Sequence, residues 1–299
     1  MQTIAAPLRP TTIPVTVLLA VRNEEANLPR CLDALHPAQA VIVLDSHSND
    51  RTSQIAIDFG AKVIQFSHSG GYPKKRQWAL DEVEFETDWI LLLDADEVVP
   101  SDLWEEISNA TRSTATHNGY LIRKGFHFLG KRMSWGGFSH QAVLLIRKGH
   151  AKFEHLVSVP GDTLDMEVHE RVIVSGSIGT FSTPLIHEDF KGLEAYIDKH
   201  NRYSTWEAHL RHQAVQTGAY GDFSVPPKLF GNAQERRRWL KKIAIRIPFE
   251  PTLWFLYHYV FKLGFLEGKA GLIACQIRAQ YISNVRAKMY ELAARASIH

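Results

Sequence analysis

Four short apolar runs separated by amphipathic stretches constrain this chain more than any other feature. Val15-Thr16-Val17-Leu18-Leu19-Ala20 comes first and is followed by a helical pattern around Ala26 to Leu35. Ala40-Val41-Ile42-Val43-Leu44 precedes a helix near Thr52 to Phe59, and Lys62-Val63-Ile64-Gln65-Phe66 precedes one from about Lys74 to Val83. Trp89-Ile90-Leu91-Leu92-Leu93 closes the series. Continuous apolar strands are buried on both faces, and the helices between them act as the crossovers of a parallel sheet. The expected core is a doubly wound, mostly parallel α/β sheet.

The period changes after Pro100. Gly119 to Lys131, Gln141 to Arg147 and Arg171 to Ile178 read as longer strands with Gly-rich connections, an antiparallel extension of the sheet. A long helix is expected from about Leu193 to His212. The loop Thr217 to Phe230 is rich in Gly and Pro, so the catalytic domain is expected over residues 1–231 and a C-terminal helical segment over 232–299. The 299 residues suffice for one such domain and an appendage. With 45% hydrophobic and 22% charged residues the balance is that of a globular chain, and a net charge of +2 gives no footing for nucleic acid as a partner.

Polar residues gather where open α/β sheets bind ligands, at the C-terminal strand ends. Strand one ends in Arg22-Asn23-Glu24-Glu25, strand two in Asp45-Ser46-His47-Ser48-Asn49-Asp50, and strand four in Asp94-Ala95-Asp96-Glu97. Asp50 suits the cap of the helix at Thr52, but three acidic ends on one sheet edge exceed what capping needs. Absent motifs narrow the chemistry. No Gly-x-Gly-x-x-Gly follows strand one, and there is no P-loop, Gly-x-Ser-x-Gly elbow or His-Glu-x-x-His. Two carboxylates as close as Asp94 and Asp96 repel unless a cation or hydrogen-bond donors compensate them. Mg²⁺ or Mn²⁺ takes one or two carboxylates and completes its shell with water and phosphate oxygens. Such an ion would neutralise a departing diphosphate.

These residues carry a family resemblance. The chain resembles the family-2 inverting glycosyltransferases of GT-A fold, and within them a subgroup similar to lipopolysaccharide-core β-1,4-glucosyltransferases. The matching stretches are Val21-Arg22-Asn23-Glu24-Glu25, Asp45 to Thr52, Lys75-Arg76-Gln77-Trp78-Ala79-Leu80 and Leu93-Asp94-Ala95-Asp96-Glu97. Val168-His169-Glu170, Pro184-Leu185-Ile186-His187 and Gly264-Phe265-Leu266-Glu267-Gly268 continue the match. The resemblance implies a nucleotide-sugar donor, with a UDP-sugar favoured, held by Glu24, Asp45, Arg76, Asp94 and Asp96. It implies a divalent metal on Asp96 and His187; His187 also reads as a structural histidine, and Asp189 as the cap of the next helix. Glu170 is the implied base that removes the acceptor hydroxyl proton, with His169 as its neighbour and alternative. The chain departs from the subgroup at Leu144-Leu145-Ile146-Arg147, where an Arg-Leu-Phe-Arg-like stretch is usual, so the acceptor and donor sugar do not carry over. The segment Gly130 to His140, with Trp135, is the candidate acceptor pocket.

The implied function is transfer of a sugar to a hydroxyl of a glycan or lipid-linked acceptor in cell-envelope polysaccharide or lipopolysaccharide synthesis. A metal-dependent nucleotidyltransferase is the competing enzyme class, and its Gly-rich basic loop after strand one is replaced here by an acidic sequence. A non-catalytic membrane-associated scaffold is the other alternative. Arg236-Arg237-Arg238 and Lys241-Lys242 precede the aromatic stretch Phe249 to Phe265, whose longest apolar run, Leu253 to Phe261, falls short of a bilayer span. This composition suits either an interfacial helix on anionic lipid or a helical cap on the catalytic domain. Met1 to Arg9 lacks the pattern of a secretory signal, and Cys31 and Cys275 read as buried thiols of a reducing compartment. The expected location is cytoplasmic, peripheral on the inner face of the membrane.

Overall fold

A computed structural model describes residues 12–67, 70, 72–112, 117–155, 170–218, 228–230, 239 and 247–296. The four apolar runs form β1 (Ile13–Val21), β2 (Ala38–Asp45), β3 (Lys62–Gln65) and β4 (Trp89–Leu93). They pair in parallel in the order β3-β2-β1-β4. All five side chains of β4 are buried, as is nearly all of β1. The polar exception, Thr16, shares a hydrogen bond of 2.8 Å with the Thr87 hydroxyl, so its burial leaves no unmet group.

The crossovers are α1 (Leu28–Asp33), α2 (Thr52–Phe59) and α3 (Lys75–Glu82). Asp50 Oδ1 accepts the N–H of Thr52, the first residue of α2, at 3.0 Å. The chain leaves β1 toward β2 and β3, then returns to the other side of β1 as β4. This reversal opens a crevice at the C-terminal ends of β1 and β4, where open sheets of this type place ligands.

Beyond β4 lie β5 (Glu97–Val98), α4 (Ser101–Arg112), β6 (Gly119–Phe128), β7 (Lys131–Arg132) and β8 (His140–Arg147). They are followed by β9 (Ala151–Phe153), β10 (Val172–Val174), β11 (Ile178–Thr180) and β12 (Leu185–His187). β8 joins antiparallel to β4 and β6 antiparallel to β8; β12 runs parallel to β6 and antiparallel to β5. The sheet is therefore parallel at one end and mixed at the other, the arrangement of the GT-A class. The expected strand Arg171 to Ile178 is two strands, because Gly176 sits between them at φ +101°. β10 then pairs with β9 as a separate ribbon while β11 joins β6. The strand expected to reach Lys131 stops at Phe128, where Leu129 (φ +51°) and Gly130 (φ +74°) turn the chain back into β7.

Helix α5 spans Gly192–Thr217, longer than its apolar face suggested. The C-terminal segment comprises α6 (Glu250–Leu256), a π-helical turn (Tyr257–Phe261), a 3₁₀ turn (Gly264–Glu267) and α7 (Gly268–Ala296). α7 packs along α5 through Ala208, Tyr281, Ile282 and Val285. It also packs on the sheet extension through Ala274, Phe128 and Met133. Among the described residues no helix is long and apolar enough to cross a membrane. Asn232, Arg236 to Arg238 and Lys241 to Lys242 lie outside the described residues, as do Met1 to Arg9.

Candidate active site

Asp94-Ala95-Asp96 leaves the C-terminal end of β4 into the crevice, and the two carboxylates meet different surroundings. The first turn of α3 is polar yet buried, with Lys75, Arg76 and Gln77 all shielded from solvent. Lys75 Nζ donates to the carbonyl of Val21 at the end of β1 (2.8 Å), and Arg76 Nη2 donates to the carbonyl of Leu93 (3.1 Å). The same guanidinium nitrogen binds Asp94 Oδ1, while Lys124 Nζ lies 3.0 Å from Asp94 Oδ2. Burial opposes the charge of Asp94, but Arg76 first and then Lys124 hold its carboxyl well below the ordinary range. Both oxygens of Asp94 are thus occupied by protein cations.

Lys124 also reaches Glu97 Oε1 at 2.6 Å, and Glu97 Oε2 accepts the Asp94 backbone N–H at 3.0 Å. Burial pushes the Glu97 carboxyl above its ordinary value, whereas Asp94 and Glu97 together raise the Lys124 ammonium against its own burial. This buried triad fixes the turn that presents Asp96.

Asp96 is the carboxylate left open. Its Oδ2 lies 3.3 Å from His187 Nε2, and its backbone carbonyl accepts the Glu188 N–H at 2.9 Å. Its Oδ1 is buried with no hydrogen-bond partner. Despite burial, the His187 imidazole brings the Asp96 carboxyl down to about 2, and Asp96 raises His187 against the lowering effect of burial. His187 ends β12 opposite Glu97 of β5, which sets it beside the end of β4. A divalent cation fits this donor set: one anionic carboxylate with a vacant oxygen, one imidazole, and room in its shell for phosphate and water. Among the described residues no group of three or more His, Cys, Asp or Glu side chains could enclose an ion unaided.

The remaining expected residues fall around this centre. Glu24 accepts from Lys191 Nζ (2.6 Å) and Asn27 Nδ2 (2.9 Å), and burial raises its carboxyl above the ordinary value in spite of both. Asn27 also donates to Asp189, tying the loop after β1 to the segment that follows His187. Asp189 accepts the N–H of Lys191, the residue ahead of α5, so it shapes the approach to that helix. Asp45, paired with Val21 at the end of β2, is fully buried and accepts hydrogen bonds from Ser48, Ser53 and Gln65. Burial works against its charge, but those bonds hold its carboxyl below the ordinary value. The Glu170 side chain is buried 3.1 Å from Lys74, the residue ahead of α3, and Lys74 also lies 5.0 Å from the Trp206 ring of α5. His169 lies outside the described residues.

The sequence reading missed Lys124, Glu97, Lys191 and Lys199. Lys124 follows Ile122 by two residues in β6, hence on the same buried face, and that alternation was the available signal. Lys199, on α5, is raised by the combined field of Asp96, Asp94 and Glu24, although burial acts the other way. Lys199 is thus the α5 side chain on which the charge of the acidic cluster acts.

Residues 16–130 match the family model described as Glycosyl transferase family 2. The matched stretch runs from β1 through β6 to the turn after it. The chain is 26% identical to the lipopolysaccharide core biosynthesis glycosyltransferase LpsC of Rhizobium meliloti, over 93% of this chain and 93% of that protein. An uncharacterized glycosyltransferase of Rickettsia typhi is 25% identical over 87% of this chain and 80% of its own length. Among solved structures, a glucosyl-3-phosphoglycerate synthase from Mycobacterium tuberculosis is 25% identical over 39% of this chain and 44% of that one, with a TM-score of 0.30. That overlap is too slight to bring any ligand geometry across.

Proposed function

We propose that this glycosyltransferase moves a sugar from a nucleotide-sugar donor, a UDP-sugar by preference, to a hydroxyl of a glycan or lipid-linked acceptor of the cell envelope. The observation that carries the reading is the vacant, buried oxygen of Asp96 beside His187 at the reversal point of the sheet. Asp96 and His187 would hold a Mg²⁺ or Mn²⁺ ion, which supplies charge neutralisation for the departing diphosphate. Lys199 faces the same negative charge and serves the diphosphate as a second cation. Arg76 and Lys124 act indirectly, by clamping Asp94 so that its backbone and that of Glu97 keep Asp96 in place. Glu24 is aligned by Asn27 and Lys191 at the end of β1, where a donor ribose would lie. Asp45 keeps the loop after β2 folded as the outer wall for the base.

Inversion is a single displacement, in which a base takes the acceptor proton as the new bond to the anomeric carbon forms and the bond to the diphosphate breaks. Glu170 has that role in this reading, and its contact with Lys74 fixes the carboxylate's direction. The likeness to a lipopolysaccharide core glycosyltransferase over nearly the whole of both chains supports an envelope acceptor. We assign residues 1–231 to catalysis and 232–299 to a segment at the cytoplasmic face of the membrane.

A panel of nucleotide-sugars with Mn²⁺ or Mg²⁺, read by thermal shift, tests the donor half, because a ligand that binds only the folded state raises its stability by mass action. Stabilisation by one donor only when metal is present supports the reading; a chain indifferent to every donor and metal pair overturns it. For the base, Glu170→Gln should abolish transfer while leaving the donor-induced shift intact. Turnover at the wild-type rate would remove Glu170 from the mechanism.

A further inference from the structure

The C-terminal segment turns an apolar face outward, and that face adjoins the candidate acceptor loop. In α6 and the π-helical turn, Leu253, Leu256, Tyr257 and Val260 recur at helical spacing and are all exposed. Phe249 and Phe261, at either end of this stretch, are each 76% exposed. The opposite side of the same helix faces inward: Trp254 packs on the α5–α7 core and stacks on His258, whose Nδ1 lies 2.6 Å from the carbonyl of Gly136. Large side chains therefore point away from the core although the helix has an anchored inner face.

The charges along this segment have been sorted. Its acids are turned inward, Glu250 to Arg211 and Arg286, and Glu267 to Lys131 and the backbone N–H groups of Ser134 and Trp135. Lys262 within the segment, Lys269 just after it, and Arg132 beside the Glu267-bound Lys131 stay exposed. An apolar centre with a cationic rim, and with its acids neutralised in place, complements a bilayer that contains anionic lipid.

The face is coupled to the loop between β7 and β8. Gly136 N–H donates to the carbonyl of Lys262 at 2.8 Å, and Glu267 holds the two residues before it. Trp135 on that loop, 47% exposed, and Leu129 in the turn before β7, 56% exposed, are further outward-facing apolar side chains of the sheet extension. Behind the loop, Phe138 packs on Phe126, and Phe126 lies edge-on to His187. One chain of contacts runs from the exposed face to the metal-side end of the donor site.

We infer that Phe249 to Leu266, together with Trp135 and Leu129, forms one docking surface for an anionic bilayer, and that the acceptor is an amphiphile held in that bilayer. The second clause rests on the transferase reading given above; the first stands without it. Docking on this surface holds the acceptor loop at the lipid headgroups, where the hydroxyl of a lipid-anchored glycan is presented.

Flotation of the full chain with phosphatidylglycerol-containing vesicles and with pure phosphatidylcholine vesicles tests it. The wild type should float with the anionic vesicles at low salt and release from them as salt screens the rim. The double variant F249S/F261S should bind about tenfold more weakly, since each exposed ring contributes its apolar area to the lipid. Its melt should be unchanged, because both positions are solvent-exposed. Brominated lipid should quench wild-type tryptophan fluorescence, and part of that quenching should vanish in W135F. Wild-type protein that stays with the soluble fraction overturns the inference. So does vesicle binding that F249S/F261S leaves intact, or a dimer abolished by F249S/F261S in protein that ignores vesicles. The donor-induced thermal shift separates the two readings: it should persist in F249S/F261S. Its absence from wild type that floats would remove the transferase reading and leave the docking surface standing.

Discussion

Asp96 and Asp94 differ by one intervening alanine and have opposite fates. Asp94 spends both oxygens on Arg76 and Lys124, and Asp96 keeps one oxygen for a ligand. The substitution Asp96→Asn should therefore cost at least about 100-fold in metal-dependent turnover, because it removes the anionic donor itself. The check is Mn²⁺ titration followed by thermal shift with nucleoside diphosphate: the metal-dependent increment should vanish in the variant and in wild type treated with chelator. Asp45 makes a different kind of prediction. Its folded pKa lies below the ordinary value of 3.8, so its contribution to stability is complete above that pH and fades as pH falls through the lower folded value. Asp45→Asn should lose about 1–3 kcal/mol at pH 7, the cost of mispairing buried hydroxyl and amide donors. Urea melts should show the gap between variant and wild type narrowing below about pH 3.8.

At the scale of elements, two glycines decide whether the C-terminal segment can seat. A Cβ on Gly271 would lie 2.2 Å from the carbonyl oxygen of Gly264, and one on Gly264 would lie 2.7 Å from that of His258. Both obstacles are backbone, so neither can swing aside. Gly271→Ala should destabilise the chain by about 1–3 kcal/mol through overpacking, read as a lowered urea midpoint with an unchanged slope. The parallel half of the sheet was legible from sequence because β4 is apolar throughout and β1 nearly so, with Thr16 the exception, a pattern with few alternatives. Asp94 and Asp96 drew notice because they follow such a strand, whereas His187 came only from the family resemblance. Lys124, Glu97 and Lys199 were not legible, since their meaning depends on which strand or helix lies across from them. β6 and α5 become neighbours of β4 only through β8 and β12. The split at Gly176 was hidden for a related reason: a glycine inside an apolar run reads as a weak strand position until its backbone angle is known.

For the molecule as a whole, the join between α5 and the C-terminal helices is polar at its centre. Arg211 binds Glu207 on its own helix and Glu250 on α6, Glu207 is hydrogen-bonded to the Tyr281 hydroxyl on α7, and Arg286 on α7 shares Glu250. Arg211→Ala would take a cation from the buried Glu207 and leave Glu250 to Arg286, and should cost about 3–5 kcal/mol. Calorimetry checks it, and a single lowered transition would show that the catalytic sheet and the C-terminal helices unfold together. The pairing of Asp96 with His187 has a further consequence, set by a separation of 91 residues along the chain. Asp94 can meet Arg76 as soon as β4 and α3 come together, but Lys124 arrives with β6, and His187 only after β6, β8 and β12 have been laid down. Contacts of such long range close late, because chain entropy must be given up before they return anything. A ligand that bridges Asp96 and His187 therefore acts on the return journey. It would slow unfolding and leave the folding rate nearly untouched, so in the cell such a ligand would prolong the life of the folded chain without hastening the making of a new one.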